Sequence, residues 1–190
     1  MEKKGKNRAL FKNTYFEKAS INSERCIFLS HATKDKDAVR EIGEYIMKAG
    51  VDIYLDEKDS NLLAAIRLAN NHDAVTACIE NGLSRSTDIL VIVSQDTRYS
   101  WWVPFEIGYG KKSEVEIATL LLEDVGSDIP SYLKITKLIG DIRGLNNYLD
   151  TLEKSTMYSE AFNYEYSSGA GKLLSENSKH PLSGYVKAVR

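Results

Sequence analysis

Short runs of consecutive apolar residues alternate with segments of helical period from residue 26 onward, and that order leaves few architectures open. Cys26-Ile27-Phe28-Leu29-Ser30 is apolar almost throughout, as expected of a parallel-sheet strand covered on both faces. After it, Val39, Ile42, Ile46 and Ala49 recur at three- and four-residue spacing and Gly50 supplies a stop, which predicts a helix. Val51-Asp52-Ile53-Tyr54-Leu55 reads as a second strand. Strand, helix and strand within about 30 residues make a right-handed βαβ unit. Residues 60 to 84 hold two helical pieces, one carrying Leu62, Leu63 and Ile66 and one carrying Val75, Cys78, Ile79 and Leu83, divided at Asn70-Asn71-His72. Strands are predicted over 88–94, 115–122 and 135–139, with helices over 102–112 and 143–154. The fold class that follows is α/β, a flavodoxin-like three-layer sandwich around a five-stranded parallel sheet. Ligands of such sheets bind beyond the carboxyl ends of the strands, here the loops at 30–34, 56–60 and 94–101.

The 190 residues suit one domain with extensions: residues 1–24 as an N-terminal extension, 25–154 as the domain and 155–190 as an aromatic-rich tail. A short helix is expected over 8–19, with Leu10, Phe11, Tyr15 and Phe16 partly on one face. The tail carries Tyr158, Phe162, Tyr164 and Tyr166 and is expected to pack on the domain or on a partner. With 25 basic and 27 acidic residues the net charge is -2, so no global positive field draws nucleic acid or an anionic membrane, and neither is an expected partner. The basic start, Met1 to Arg8, is not followed by the apolar run of about 7 to 15 residues that a secretory signal requires. No stretch approaches the roughly 18 apolar residues of a membrane span, and a cytoplasmic location is expected. Cys26 and Cys78 lack the spacing of a zinc or redox pair and read as small buried apolar residues. His72 and His180 have no ligand-like companions, so no metal site is expected.

The chemistry concentrates in Ser94-Gln95-Asp96-Thr97-Arg98-Tyr99-Ser100-Trp101-Trp102-Val103-Pro104-Phe105-Glu106. Pro104 belongs in the first turn of a helix, which sets Trp102 and Glu106 four residues apart on one helical face. A carboxylate is thereby presented beside an indole near the carboxyl end of a strand. From position alone, Glu106 reads as a solvated acid favoured by the helix dipole.

These residues resemble the Toll/interleukin-1 receptor (TIR) domain family in its bacterial form. The likeness rests on Phe28-Leu29-Ser30-His31-Ala32-Thr33-Lys34-Asp35-Lys36-Asp37, on Gly50-Val51-Asp52-Ile53-Tyr54-Leu55-Asp56-Glu57, and on Leu83-Ser84-Arg85-Ser86. Ser94 and Ser100-x-Trp102-x-x-x-Glu106 complete it. In enzymatic members the glutamate of the W-x-x-x-E motif cleaves the nicotinamide–ribose bond of NAD+, and the resemblance places that role on Glu106. It implies NAD+ as substrate with no further cofactor, and ADP-ribose or a cyclic ADP-ribose-type product.

By the same resemblance Ser30, His31, Ala32, Ser94 and Trp102 line the nucleotide pocket. Ser30 and Ser94 equally read as caps of backbone groups, and His31 as a solvated loop histidine. Asp56, Glu57, Lys58 and Asp59 fall in the loop that TIR domains use for self-assembly, with structural capping as the other reading. The glycine common after the acidic pair is missing here, and Asn61 to Asn71 looks like a helical replacement. Trp101 suits partner contact as well as packing. Without a fused sensor, effector or membrane segment, the chain is similar to the standalone TIR proteins of Thoeris-type antiphage systems, whose nucleotide product acts on a separate effector. Two other functions stay open: a non-catalytic TIR scaffold acting by TIR–TIR association, and a nucleoside deoxyribosyltransferase-like enzyme. A phosphoacceptor receiver domain fits poorly, because Asp56 ends the second strand rather than the third.

Overall fold

The structure, a computed structural model, describes residues 4–10, 25–67, 72–125, 129–157 and 180–188. In chain order the elements are β1 (Cys26–His31), α1 (Lys36–Lys48), β2 (Asp52–Tyr54), α2 (Ser60–Arg67), α3 (His72–Ser84), β3 (Asp88–Val93), α4 (Trp102–Lys112), β4 (Glu116–Leu121), β5 (Lys137–Ile139) and α5 (Ile142–Met157). The five strands pair in the order β2-β1-β3-β4-β5, every pair parallel. This is the flavodoxin-like α/β fold that the alternating pattern predicts.

The uninterrupted apolar runs are the middle strands. All six residues of β3 and the first five of β1 are buried, because helices cover both faces. One face carries Ile27 and Leu29 of β1, and here Gly43 of α1 lets the helix settle against Leu29 and Ile53. On that side α1 also meets α5, where the Tyr45 hydroxyl donates to Asn146 Oδ1 at 2.6 Å. The other face carries Cys26, Phe28 and Ser30 and is covered by α3 and α4. Phe28 stacks on Tyr54 there with ring centroids 5.7 Å apart. Gly82 of α3 is required at this contact, since a Cβ would lie 2.5 Å from Tyr54 Cε1. α2 packs on α3 beside the turn that follows β2.

Several boundaries differ from the sequence-based expectation. Of the helix expected over 8–19, the described part is a single 3-10 turn, Arg8–Leu10, while Phe11, Tyr15 and Phe16 lie outside the described residues. Residues 4–10 run along the outer edge of β2: Asn7 bridges Ile53 in parallel, Ile53 N donates to Lys6 O, and Arg8 Nε pairs with Asp52 Oδ2 at 2.8 Å. They cover a strand edge whose backbone groups would otherwise be unpaired. The tail aromatics Tyr158, Phe162, Tyr164 and Tyr166 lie outside the described residues. Residues 180–188 pack on the domain: Leu182 and Val186 are fully buried, and Val186 bridges Leu122 antiparallel. Cys26 is buried as expected, with its thiol pushed up to about 12 chiefly by burial, whereas Cys78 is only half-buried on α3. No helix among the described residues is long and apolar enough to cross a membrane.

Candidate active site

The chain leaves β1 toward β2 on one side and leaves β3 toward β4 on the other, so the carboxyl ends of β1 and β3 flank the switch point where α/β sheets bind ligands. Strand alternation puts Ser30 on the same face as Cys26 and Phe28, aimed at α4. On α4, Val103, Glu106, Ile107 and Gly110 form the inward stripe at helical spacing, and all four are buried. A carboxyl group therefore occupies a position that helical period reserves for the core. Ser30 Oγ donates to Glu106 Oε2 at 2.5 Å, and Glu106 is only 4% exposed. The solvated-acid reading of Glu106 fails on this burial. Its pKa is pushed from an ordinary 4.5 up to about 8, first by burial and then by the negative charge of Asp56, with the Ser30 hydroxyl pulling the other way.

Asp56 opens the 3-10 turn Asp56–Lys58 after β2. Its carboxyl is also raised, chiefly by burial, and is opposed by His31, by the Glu57 backbone N–H and by Lys36. His31 ends β1 and is half-buried, with Nδ1 lying 2.9 Å from Leu29 O. A carbonyl only accepts, so Nδ1 carries a proton and donates to it, which fixes the ring's orientation.

Trp102 opens α4, 39% exposed, and stands edge-on to Phe105 with centroids 5.8 Å apart. Its neighbours Trp101 and Tyr99 are 92% and 73% exposed. Ser94 serves as a cap: its Oγ accepts from Asp96 N and donates to Asp35 Oδ2 at 2.7 Å, while its own N–H donates to Thr97 Oγ1. It ties the loop after β3 to the loop after β1. Ala32 is buried, and its carbonyl accepts from Asp35 N at 2.9 Å.

The four acidic-loop residues divide. Glu57 takes a two-pronged bond from Arg40 of α1, at 2.7 and 2.9 Å. Asp59 is buried, accepts from the Tyr54 hydroxyl and caps α2 through Asn61 N at 2.8 Å. The side chain of Lys58 lies outside the described residues. Among the described side chains of this turn, Asp56 is the one whose charge acts on Glu106, a division that sequence reasoning missed by grouping it with its neighbours. In place of a glycine-bearing loop, the turn runs straight into α2, which exposes Leu63 at 40% and Ile66 at 60%.

The TIR domain family model matches residues 27–161, from β1 past the end of α5, and so takes in Ser30, Asp56, Ser94, Trp102 and Glu106. A comparison with curated proteins finds none that matches. The matched stretch is well over half the chain and carries the five-stranded parallel sheet with its carboxyl-end cluster, so the chain belongs to the TIR domain family.

Proposed function

We propose that this TIR domain cleaves the nicotinamide–ribose bond of NAD+, with Glu106 as the catalytic carboxylate. The observation that carries the reading is a nearly inaccessible carboxyl held by a serine hydroxyl at the sheet's switch point, beside a partly exposed indole. Nicotinamide departs from a cationic pyridinium: the ring nitrogen–C1′ bond breaks, the electron pair stays with the neutral leaving group, and no acid is needed. An O-glycosidase must protonate its leaving oxygen and so needs a second catalytic carboxyl. Here one carboxylate has the remaining task of stabilising positive charge on the ribose, and low local dielectric strengthens it in that task. Water attack at C1′ gives ADP-ribose, and attack by the substrate's own adenine or ribose gives a cyclic product.

In this reading Ser30 orients Glu106, His31 Nε2 and the Ala32 backbone meet the ribose or nicotinamide, Trp102 walls the ring, and Ser94 holds the loops together. NAD+ is the substrate, and no other cofactor is invoked. Self-association, antiphage defence and a separate effector that senses the product follow from the resemblance to Thoeris-type proteins. The test incubates the protein with NAD+ at high protein concentration and follows nicotinamide and nucleotide products by chromatography, with Glu106→Gln as control. Nicotinamide release that vanishes in the variant supports the enzyme. Intact NAD+ under every condition refutes it.

A second reading, a non-catalytic scaffold, is favoured by the apolar groups on the surface: Leu63 and Ile66 of α2, and Trp101. It requires that Glu106→Ala leave function intact while Leu63→Lys with Ile66→Lys abolishes assembly.

A further inference from the structure

The loops after β1 and β3 wall the candidate site on two sides, and side chains join them. Lys34 Nζ donates to Asp96 Oδ1 at 2.9 Å, and Ser94 Oγ donates to Asp35 Oδ2 at 2.7 Å. The lysine pair is exposed and contributes little in water, whereas the serine–aspartate bond is partly buried. Asp35 stands at the N-cap of α1, where an aspartate ordinarily bonds the amides of its own helix, yet its side chain makes no cap bond. Its carboxylate serves the loop after β3 instead. Burial first, and then the charges of Asp124 and Asp96, raise the Asp35 carboxyl, while the Ser94 hydroxyl and His31 oppose the rise. Negative charge thus crowds this contact, and the Ser94 bond holds against it. The far side of the same loop has a separate anchor: Gln95 N donates to Asp124 Oδ2, and Gln95 Nε2 donates to Asp124 O at 2.7 Å.

We propose that Asp35 is a positioning residue that sets the width of the pocket: it holds the loop after β3, which leads into Trp101 and Trp102, against the loop that follows His31. Without the Asp35 bond the loop keeps its Asp124 anchor, so it swings on the β4 side and the two walls part while the domain stays folded. Glu106 and Ser30 lie on α4 and β1 and keep their own bond. The reacting centre is therefore intact, and the fit of the ligand is what suffers. An interaction that favours bound substrate and transition state alike acts on KM rather than on kcat. The effect on KM rests on the NAD+ reading, whereas the clasp between the loops is a property of the free protein.

Hydrogen exchange followed by mass spectrometry reads the clasp without any ligand, because amides of the loop are bonded within it: Ser94 N to Thr97 Oγ1, Asp96 N to Ser94 Oγ, Thr97 N to Ser94 O and Ser100 N to Thr97 O. Asp35→Ala is expected to speed exchange over residues 94–101 about tenfold and to leave β3 unchanged. In turnover it is expected to raise KM for NAD+ about tenfold with kcat held within about threefold. Asp35→Asn keeps an acceptor oxygen without the charge and is expected to restore both values. Adding Asp35→Ala to Ser94→Ala is expected to change either by less than about twofold, since the two residues share one bond. Thermal melts establish folding, and Ser94→Ala takes the place of Asp35→Ala if the latter does not fold. Unchanged exchange in Asp35→Ala overturns the clasp. Asp35→Asn behaving as Asp35→Ala does assigns the effect to charge and overturns it as well. A loosened loop with an unmoved KM overturns its role in fitting the ligand. A wild-type protein that leaves NAD+ intact overturns the NAD+ reading and the effect on KM with it, while the exchange result still decides the clasp.

Discussion

Replacing Glu106 with Gln is expected to make the protein more stable than wild type in alkali and nearly equal to it in acid. The native carboxyl holds its proton to about 8, against an ordinary 4.5. Between those two pH values the folded protein binds a proton that the unfolded chain has released, so wild-type stability falls as pH rises through this window. At about 1.4 kcal/mol for each tenfold change in the protonation equilibrium, the span corresponds to about 5 kcal/mol, a ceiling that local relaxation and water entry reduce. With Glu106 only 4% exposed, solvent screening does little to lower it further. Gln keeps the shape and a carbonyl oxygen for the Ser30 hydroxyl and has nothing to ionise. At pH 5 the two proteins therefore differ by no more than about 1 kcal/mol. By pH 9 the variant leads by several kcal/mol, about 3 to 5. Titrating groups that do not interact with Glu106 cancel in the difference, while Asp56, whose charge raises it, adds a smaller change of its own. Urea unfolding followed by far-ultraviolet circular dichroism at whole pH units from 5 to 9 measures it, provided the denaturant slope is the same for both proteins. Stability curves that run parallel across the whole range would refute the assignment of Glu106 as a buried, proton-holding carboxyl.

The same titration predicts that kcat/KM for NAD+ rises about tenfold per pH unit below about 8 and levels off above it; a flat profile from pH 6 to 9 contradicts a catalytic role for the carboxylate. Ser30→Ala removes the hydroxyl that opposes the rise, so the inflection moves to higher pH and activity at pH 7 drops about tenfold, measured as nicotinamide release. Gly82→Ala drives a methyl to 2.5 Å from Tyr54 and 3.1 Å from Phe28; overpacking of about 1 to 3 kcal/mol outweighs a helix gain of about 1, and thermal denaturation is expected to show a lower midpoint.

Much of the site was legible before any coordinates. Trp102 and Glu106 are four residues apart, and Pro104 stands in the first turn of the helix that Trp102 opens, a local matter that spacing decides. The burial of Glu106 also left a trace, since it stands on the stripe with Val103, Ile107 and Gly110. The capping reading of Ser94 and Asp59 rested on side chains bonding their own nearby backbone, and the structure shows those bonds. What could not be read was the division within Asp56 to Asp59. Adjacent residues in a tight turn point in different directions, and each partner comes from a different element: Arg40 for Glu57, Tyr54 and α2 for Asp59, the Glu106 site for Asp56.

By itself, then, the amino-acid order determined the alternation of strands and helices, and through it the parallel sheet and the end of that sheet where ligands bind. Period and capping act over a few residues, and crossover handedness leaves few ways to join the pieces. Only the tertiary structure decided that the Ser30 hydroxyl donates to Glu106, 76 residues along the chain. It alone set Arg8 against Asp52 along the sheet edge, and it brought Leu182 and Val186 back into the core. Those contacts depend on strand register and on how far each helix slides over the sheet. Such quantities are set by close packing among all the layers at once, and no single segment encodes them.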